Sequence, residues 1–263
     1  MTTETARHGW TSFLYGAGEA VLSKSIKLAA QREIRRRINE PLRIALVNLW
    51  NEIKIARTTR SSAKYLQTLE GAQGLKIHLG CGPDIRTGWI NIDLAPGRRS
   101  GVLPDIDPQT MFISYDLRLG LPLHENSCDM IYSSHFFEHL ESRQGLQLMH
   151  DCYRALRHGG VFRIALPNLA AIFQAYLRRD HEYFDLLDME LPEVPPGTKA
   201  FIDYVNYGVY QEGQHKFIYD EEKLALTLKH IGFDSVVPSS YREGIDPDTA
   251  VRRHHSFYME AAK

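Results

Sequence analysis

LKIHLGCGPD, residues 75–84, reads as a strand running into a tight loop. Leu75, Ile77 and Leu79 alternate with Lys76 and His78, and Gly80, Gly82 and Pro83 then break the run. Lacking a Cβ, Gly80 and Gly82 let the backbone turn sharply and let a ligand approach its N–H groups. A G-x-G turn alone is common in α/β domains. The strands and acids spaced along the chain beyond it make this one specific.

GWINIDL, residues 88–94, is a second strand candidate ending at Asp93. Strands joined by short crossovers predict a parallel sheet, whose ligands bind beyond the carboxyl ends of the strands. An acid there can accept hydrogen bonds from two ribose hydroxyls; its alternative role is a turn cap. MFISYDL, residues 111–117, is a third strand ending at Asp116, placed to receive an adenine amine beside the Leu117 backbone. Residues 121–127 read as a turn and 128–133 as a fourth strand, with His135 where that strand opens. Met149, Cys152, Tyr153 and Leu156 mark one helix face, which His158-Gly159-Gly160 is expected to stop. VFRIALPNL comes next as a fifth strand.

Taken in order, HLGCGPD, INIDL, SYDL, CDMIYSSHFFEHL and ALRHGGVFRIALPNL resemble a class I S-adenosylmethionine-dependent methyltransferase. Within that superfamily the chain is similar to the bacterial group tied to polysaccharide and glycolipid O-methylation. The resemblance spans residues 75–263. It implies an α/β, Rossmann-like sheet of seven strands in the order 3-2-1-4-5-7-6, the seventh antiparallel. It also implies roles by position. Gly80, Cys81 and Gly82 would line the methionine and ribose, Asp93 with Leu94 the ribose, and Asp116 with Leu117 the adenine. Ser133, Ser134 and His135 would face the reacting end of the donor. Two positions depart from the pattern: His78 stands where the family often has an acid, and Asp84 where a third glycine is common. His78 therefore joins the cofactor-side candidates. A dehydrogenase is disfavoured because G-x-G-x-x-G is absent, with Ile85 at the third position.

Residues 170–214 leave the strand rhythm and hold Phe173, Tyr176, Tyr183, Phe184, Phe201, Tyr204, Tyr207 and Tyr210 around LPEVPPG. This insertion is expected to be a substrate lid, since aromatic rings with hydroxyl tips suit sugar faces. The alternative is that the rings form only the insertion's own small core. Residues 215–233 read as a helix capped by Asp220, with Glu221 and Glu222 in its first turn and Gly232 at its end. FDSVVP and SFYMEA (residues 256–261) supply the last strands.

Ahead of this lies a basic piece. Residues 1–70 carry 12 Lys and Arg against 6 Asp and Glu, while the remainder is acidic and the net charge is −1. The charge divides the chain into two modules: a helical extension, residues 1–70, and a catalytic domain, residues 71–263. Helices are expected over 11–39 and from about Leu42 to Leu69, separated by Pro41. Arg35-Arg36-Arg37 can meet phosphate, anionic lipid or nucleic acid, or be a solvated face. The cluster Trp10, Phe13, Leu14 and Tyr15 needs cover and makes a homodimer one option. No apolar run spans a bilayer, leaving peripheral membrane contact as the membrane option, and no secretory signal is visible. The odd count of three cysteines fits a reducing cytoplasm.

For the chemistry, His135, His139 and His215 are the candidate general bases, because a sugar hydroxyl attacks a sulfonium only as its proton leaves. His135, Glu138 and His139 also spell H-x-x-E-H, an inverted zinc motif, although here it comes after a strand rather than opening a long helix. Magnesium on loop acids such as Asp105, Asp107 and Glu212 is a further option, and the metal is left open. The expected activity is methyl transfer to a hydroxyl of a sugar, oligosaccharide or glycolipid. The alternatives are a quinone, lipid or phenolic natural-product acceptor, and a non-catalytic scaffold that only binds the donor. Nucleic acid is disfavoured as a partner by the acidic domain and by YSSHFF standing where N-P-P-Y would be.

Overall fold

The computed structural model describes residues 39–187, 191–192 and 194–263. The expected helix over 11–39, its arginine run and the aromatic cluster fall, apart from Asn39, outside the described residues. The chain divides into two compact units, Met1–Lys54 and Ile55–Lys263. In the first, residues 39–54 are helical, and Leu42, Leu46, Leu49 and Trp50 are exposed. Among the described residues no helix is long and apolar enough to cross a membrane.

The second unit is built on one mixed sheet. Its strands are β1 (Leu75–Leu79), β2 (Ile90–Asp93), β3 (Gly101–Val102), β4 (Met111–Ser114), β5 (Cys128–Ser134), β6 (Leu156–Pro167), β7 (Ser235–Ser239) and β8 (Ser256–Ala262). Their order is β3-β4-β2-β1-β5-β6-β8-β7. Eight strands stand where seven were implied; the addition is the two-residue β3, antiparallel at the edge beside β4. The β4, β2, β1, β5 and β6 strands are parallel, whereas β8 runs antiparallel to both β6 and β7. Parallel strands covered on both faces demand continuous apolar runs. Ile77, Leu79, Ile92, Ile113, Ile131, Phe162 and Ile164 accordingly lie in the core. Full burial of one such side chain contributes about 1.5–3 kcal/mol.

Helices complete the layers: α1 (residues 55–67), α2 (Ser142–Ala155), α3 (Leu169–Arg178), α4 (His181–Asp185), α5 (Phe201–Tyr210), α6 (Glu221–Ile231) and α7 (Ala250–His254). On α1 the buried stripe is Thr59, Ser62 and Leu66, at helical spacing. Thr59 Oγ1 accepts from the Asp116 amide at 3.2 Å, and the Ser62 and Ser100 hydroxyls lie 2.6 Å apart. The α6 caps are as expected. Asp220 accepts from the Lys223 amide, Gly232 closes the helix in the left-handed region, and Leu224, Leu228 and Ile231 are buried.

The α2 helix ends earlier than its pattern suggested. It stops at Ala155, and Leu156 is already extended and paired with Cys128. The β5–β6 register then shifts, so His158-Gly159-Gly160 makes an irregularity inside β6 rather than a helix stop. Burying Leu156 in the sheet core outweighs its helical phase.

The inserted aromatics divide. Phe184 and Tyr204 stack with centroids 4.3 Å apart in a second core with Leu169, Ile172, Ala175, Leu187 and Val251. Phe173 and Tyr210 stay exposed. A group invisible in the sequence pattern ties the sheet's far side together. The buried Arg163 guanidinium bonds Asp246, Glu260, the Ser239 hydroxyl and the Ser240 carbonyl. Tyr132 adds its hydroxyl to Asp246 at 3.1 Å.

Candidate functional site

The glycine loop continues directly from β1. Gly80 (φ 64°) and Gly82 (φ 51°) both occupy the left-handed region that favours glycine. A Cβ on Gly80 would run into the Phe136 ring, so a side chain is excluded there by space as well as by backbone. The Gly80 and Cys81 amides donate to the Ile92 carbonyl at 2.9 and 3.3 Å, pinning the loop to β2. The Gly82 amide donates to one Asp93 carboxylate oxygen and the Leu94 amide to the other. Asp93 thus organises the loop while keeping further lone pairs for a ligand.

The other predicted donor-side residues come from β1, the loop itself, the segment after β4 and the end of β5. Ser133 and Ser134 are buried at the end of β5, and Ser133 Oγ has no hydrogen-bond partner among the described residues. Cys81 is buried, and burial, followed by the charge of Asp93, pushes its thiol up to about 12. Asp116 caps the short 3-10 turn Leu117–Leu119 and grips Arg118, with side-chain contacts of 2.9–3.1 Å. Its carboxylate is thus engaged by a neighbouring cation. His78 is buried against Tyr132, ring centroids 5.1 Å apart, with the Arg86 guanidinium over that same tyrosine. Burial, helped by the Arg86 charge, holds the His78 imidazole down to about 3, so it is neutral.

Residues 77–164 match the family model described as a methyltransferase domain. The glycine loop and the strands from β1 into β6 thus fall within a stretch that is similar to a methyltransferase domain. No curated protein matches the sequence. Among solved structures, a SAM-dependent methyltransferase from Archaeoglobus fulgidus is 16% identical, with 80% of this chain and 94% of that one covered and a TM-score of 0.41. A phosphoethanolamine N-methyltransferase 2 from Haemonchus contortus, solved with S-adenosyl-L-methionine, is 16% identical over 73% of this chain and 49% of that one, with a TM-score of 0.44.

The loop is compatible with an S-adenosylmethionine donor: Asp93 accepts one amide on each oxygen and keeps further lone pairs, and the orphaned Ser133 hydroxyl is available for a polar group. Gly80, Cys81, Gly82 and Asp93 are the residues that would hold it. When bound, the donor supplies an electrophilic methyl on a sulfonium.

Beyond β5 lies a cluster of titratable groups. His135 sits at φ 50°, its amide on the Ala165 carbonyl at 3.0 Å. Its Nε2 meets Ser256 Oγ at 2.7 Å, and the Ser256 hydroxyl itself donates to the Val251 carbonyl. Nε2 is then the donor to Ser256, which leaves the lone pair on Nδ1, 3.7 Å from a Glu138 oxygen. Burial, with the Arg252 charge behind it, holds the His135 imidazole well below its usual range.

Glu138 and His139 belong to the short 3-10 turn Phe137–His139, and His215 lies on the chain leading to α6. The Lys216 and Phe217 amides donate to the Glu138 carbonyl, tying the two segments together. Burial pushes the Glu138 carboxyl up to about 8, and both its oxygens lack hydrogen-bond partners among the described residues. His139 and His215 are lowered by burial. The three predicted histidines are thus brought to one place. Glu138 is the member that base-seeking missed, although H-x-x-E-H displayed it. Ser256 carried no signal, because its role rests on a contact across the sheet. Asp105, Asp107 and Glu212 are not part of any three-residue group able to hold a metal among the described residues.

Proposed function

We propose that this protein is an S-adenosylmethionine-dependent methyltransferase that acts on a hydroxyl of a sugar, oligosaccharide or glycolipid, with His135 as proton acceptor. The observation that carries the reading is the lone pair of His135 Nδ1, fixed by the Nε2 contact to Ser256 and lying just beyond Ser133 and Ser134. A base oriented by a third group and placed at the end of the donor strand suits an alcohol acceptor, whose proton must leave as its oxygen attacks. The sugar preference rests on a hollow of about 250 Å³ lined by Tyr207, Tyr210, Asn206, Asp203, Glu212 and Leu191, among others. Rings and amide or carboxylate edges of this kind match the apolar patches and hydroxyl rims of a sugar.

The test is incubation with S-adenosylmethionine and a panel of sugars, glycolipids, quinones and phenols, reading S-adenosylhomocysteine release and product mass. Methylated sugar whose formation falls about 10²–10⁴-fold in His135→Gln is the expected result. Turnover confined to quinones or phenols would replace the acceptor. Donor binding without turnover on any acceptor would favour the scaffold.

A further inference from the structure

We infer that Glu138, His139 and His215 form a binding site for a divalent transition-metal ion of the zinc type. One ligand atom from each lies within 4.8 Å of the others. The tautomers favour metal binding. His139 Nδ1 faces the Gln214 carbonyl at 3.3 Å, and His215 Nδ1 faces the Gly208 carbonyl at 2.8 Å. A carbonyl only accepts, so both Nδ1 atoms carry the proton and both Nε2 atoms keep a lone pair. Imidazole ligands are commonly oriented in this way, through the second ring nitrogen.

Glu138 is the second, independent sign. It is 3% exposed, and neither carboxylate oxygen has a hydrogen-bond partner among the described residues. A buried carboxylate left so costs free energy unless a cation joins it. A cavity of about 10 Å³, bounded by Glu138, His215, Gly208, Leu166 and Phe217, touches the site. Two imidazoles and one carboxylate suit zinc, cobalt, manganese or iron, whereas magnesium prefers an all-oxygen shell. Three protein ligands leave positions open for an acceptor oxygen, as catalytic zinc sites do. A hydroxyl bound there sheds its proton more readily, and His135, on the same Glu138 carboxylate, is placed to take it. His139 and His215 would then be ligands and His135 alone the base.

The test uses full-length protein stripped with a chelator, then titrated with Zn²⁺, Co²⁺ and Mg²⁺ by calorimetry, with the cobalt complex read by visible absorbance. Expected are one Zn²⁺ per chain, a Co²⁺ d–d spectrum, and Mg²⁺ that does not compete. Glu138→Gln, His139→Gln and His215→Gln should each weaken Zn²⁺ by at least tenfold. Circular dichroism verifies the fold of each variant, and the shape-preserving Glu138→Gln carries the test if a histidine variant does not fold. Absence of Zn²⁺ and Co²⁺ binding would overturn the proposal. So would undiminished binding in the folded variants, or Mg²⁺ binding tighter than Zn²⁺. No donor or acceptor is needed, so failure here leaves the methyl-transfer reading to its own assay.

Discussion

The His139 and His215 rings meet edge to face with centroids 5.1 Å apart, one from the turn after β5 and the other from the segment leading to α6. His139 is also near enough to Asp93 to feel its charge. The cluster beyond β5 and the loop that would hold the donor are thus electrostatically connected. Four substitutions or conditions probe how this arrangement is held.

Asp93→Asn removes an acceptor that two loop amides share, Gly82 on one oxygen and Leu94 on the other. An amide can accept on only one side, so one N–H loses its partner, at a cost of about 1–3 kcal/mol. Calorimetric titration with S-adenosylmethionine should show affinity reduced by about tenfold or more, with the far-UV spectrum unchanged. Unaltered affinity would separate Asp93 from the donor site.

Gly80→Ala faces two penalties, the left-handed backbone and the Phe136 ring. The first costs about 1–2 kcal/mol and the second about 1–3 kcal/mol. Urea unfolding of Gly80→Ala, Phe136→Ala and the double variant should reveal coupling, because removing the ring relieves only the steric part. Strict additivity would mean that the ring gives way freely.

Arg163→Met leaves Asp246 buried without its main cation, since that guanidinium binds Asp246 in a pair that is fully buried on both sides. Breaking such a pair costs about 3–5 kcal/mol. The urea midpoint should fall accordingly, and adding Asp246→Asn should recover part of the loss. A midpoint shift below about 1 kcal/mol would show the network to be dispensable.

His78 contributes to acid sensitivity, alongside the other histidines that burial lowers. Its folded value of about 3 lies below the ordinary 6.5 of the unfolded chain, so the unfolded state binds the proton first. The neutral imidazole's contribution is complete above about pH 6.5 and is lost as pH falls toward 3. Full loss amounts to at most roughly 5 kcal/mol. His78→Gln should flatten the acid limb of stability against pH, measured by urea unfolding at a series of pH values. An unchanged limb would assign the acid sensitivity to other groups.

The strand–glycine-loop start, the strands ending at Asp93 and Asp116, and the capped α6 are legible in the order of residues. In each case the signal lies within a few residues: alternation, a glycine that must turn, a capping oxygen near its amide. Four other features arise only when distant segments pack together. The strand β3 is two residues long and exists only because β4 offers it an edge. Leu156 has helical phase but joins β6, since the sheet core buries it. Four of the eight inserted aromatics, Tyr183, Phe184, Phe201 and Tyr204, pack on one another, as ring contact depends on folding the insertion back on itself. The H-x-x-E-H spacing places His135 and His139 only four residues apart. Folding instead turns His135 Nε2 to Ser256 and brings His215 to His139. Partners remote in the chain leave no periodicity to read, so their contacts are set by how the sheet and its crossovers close.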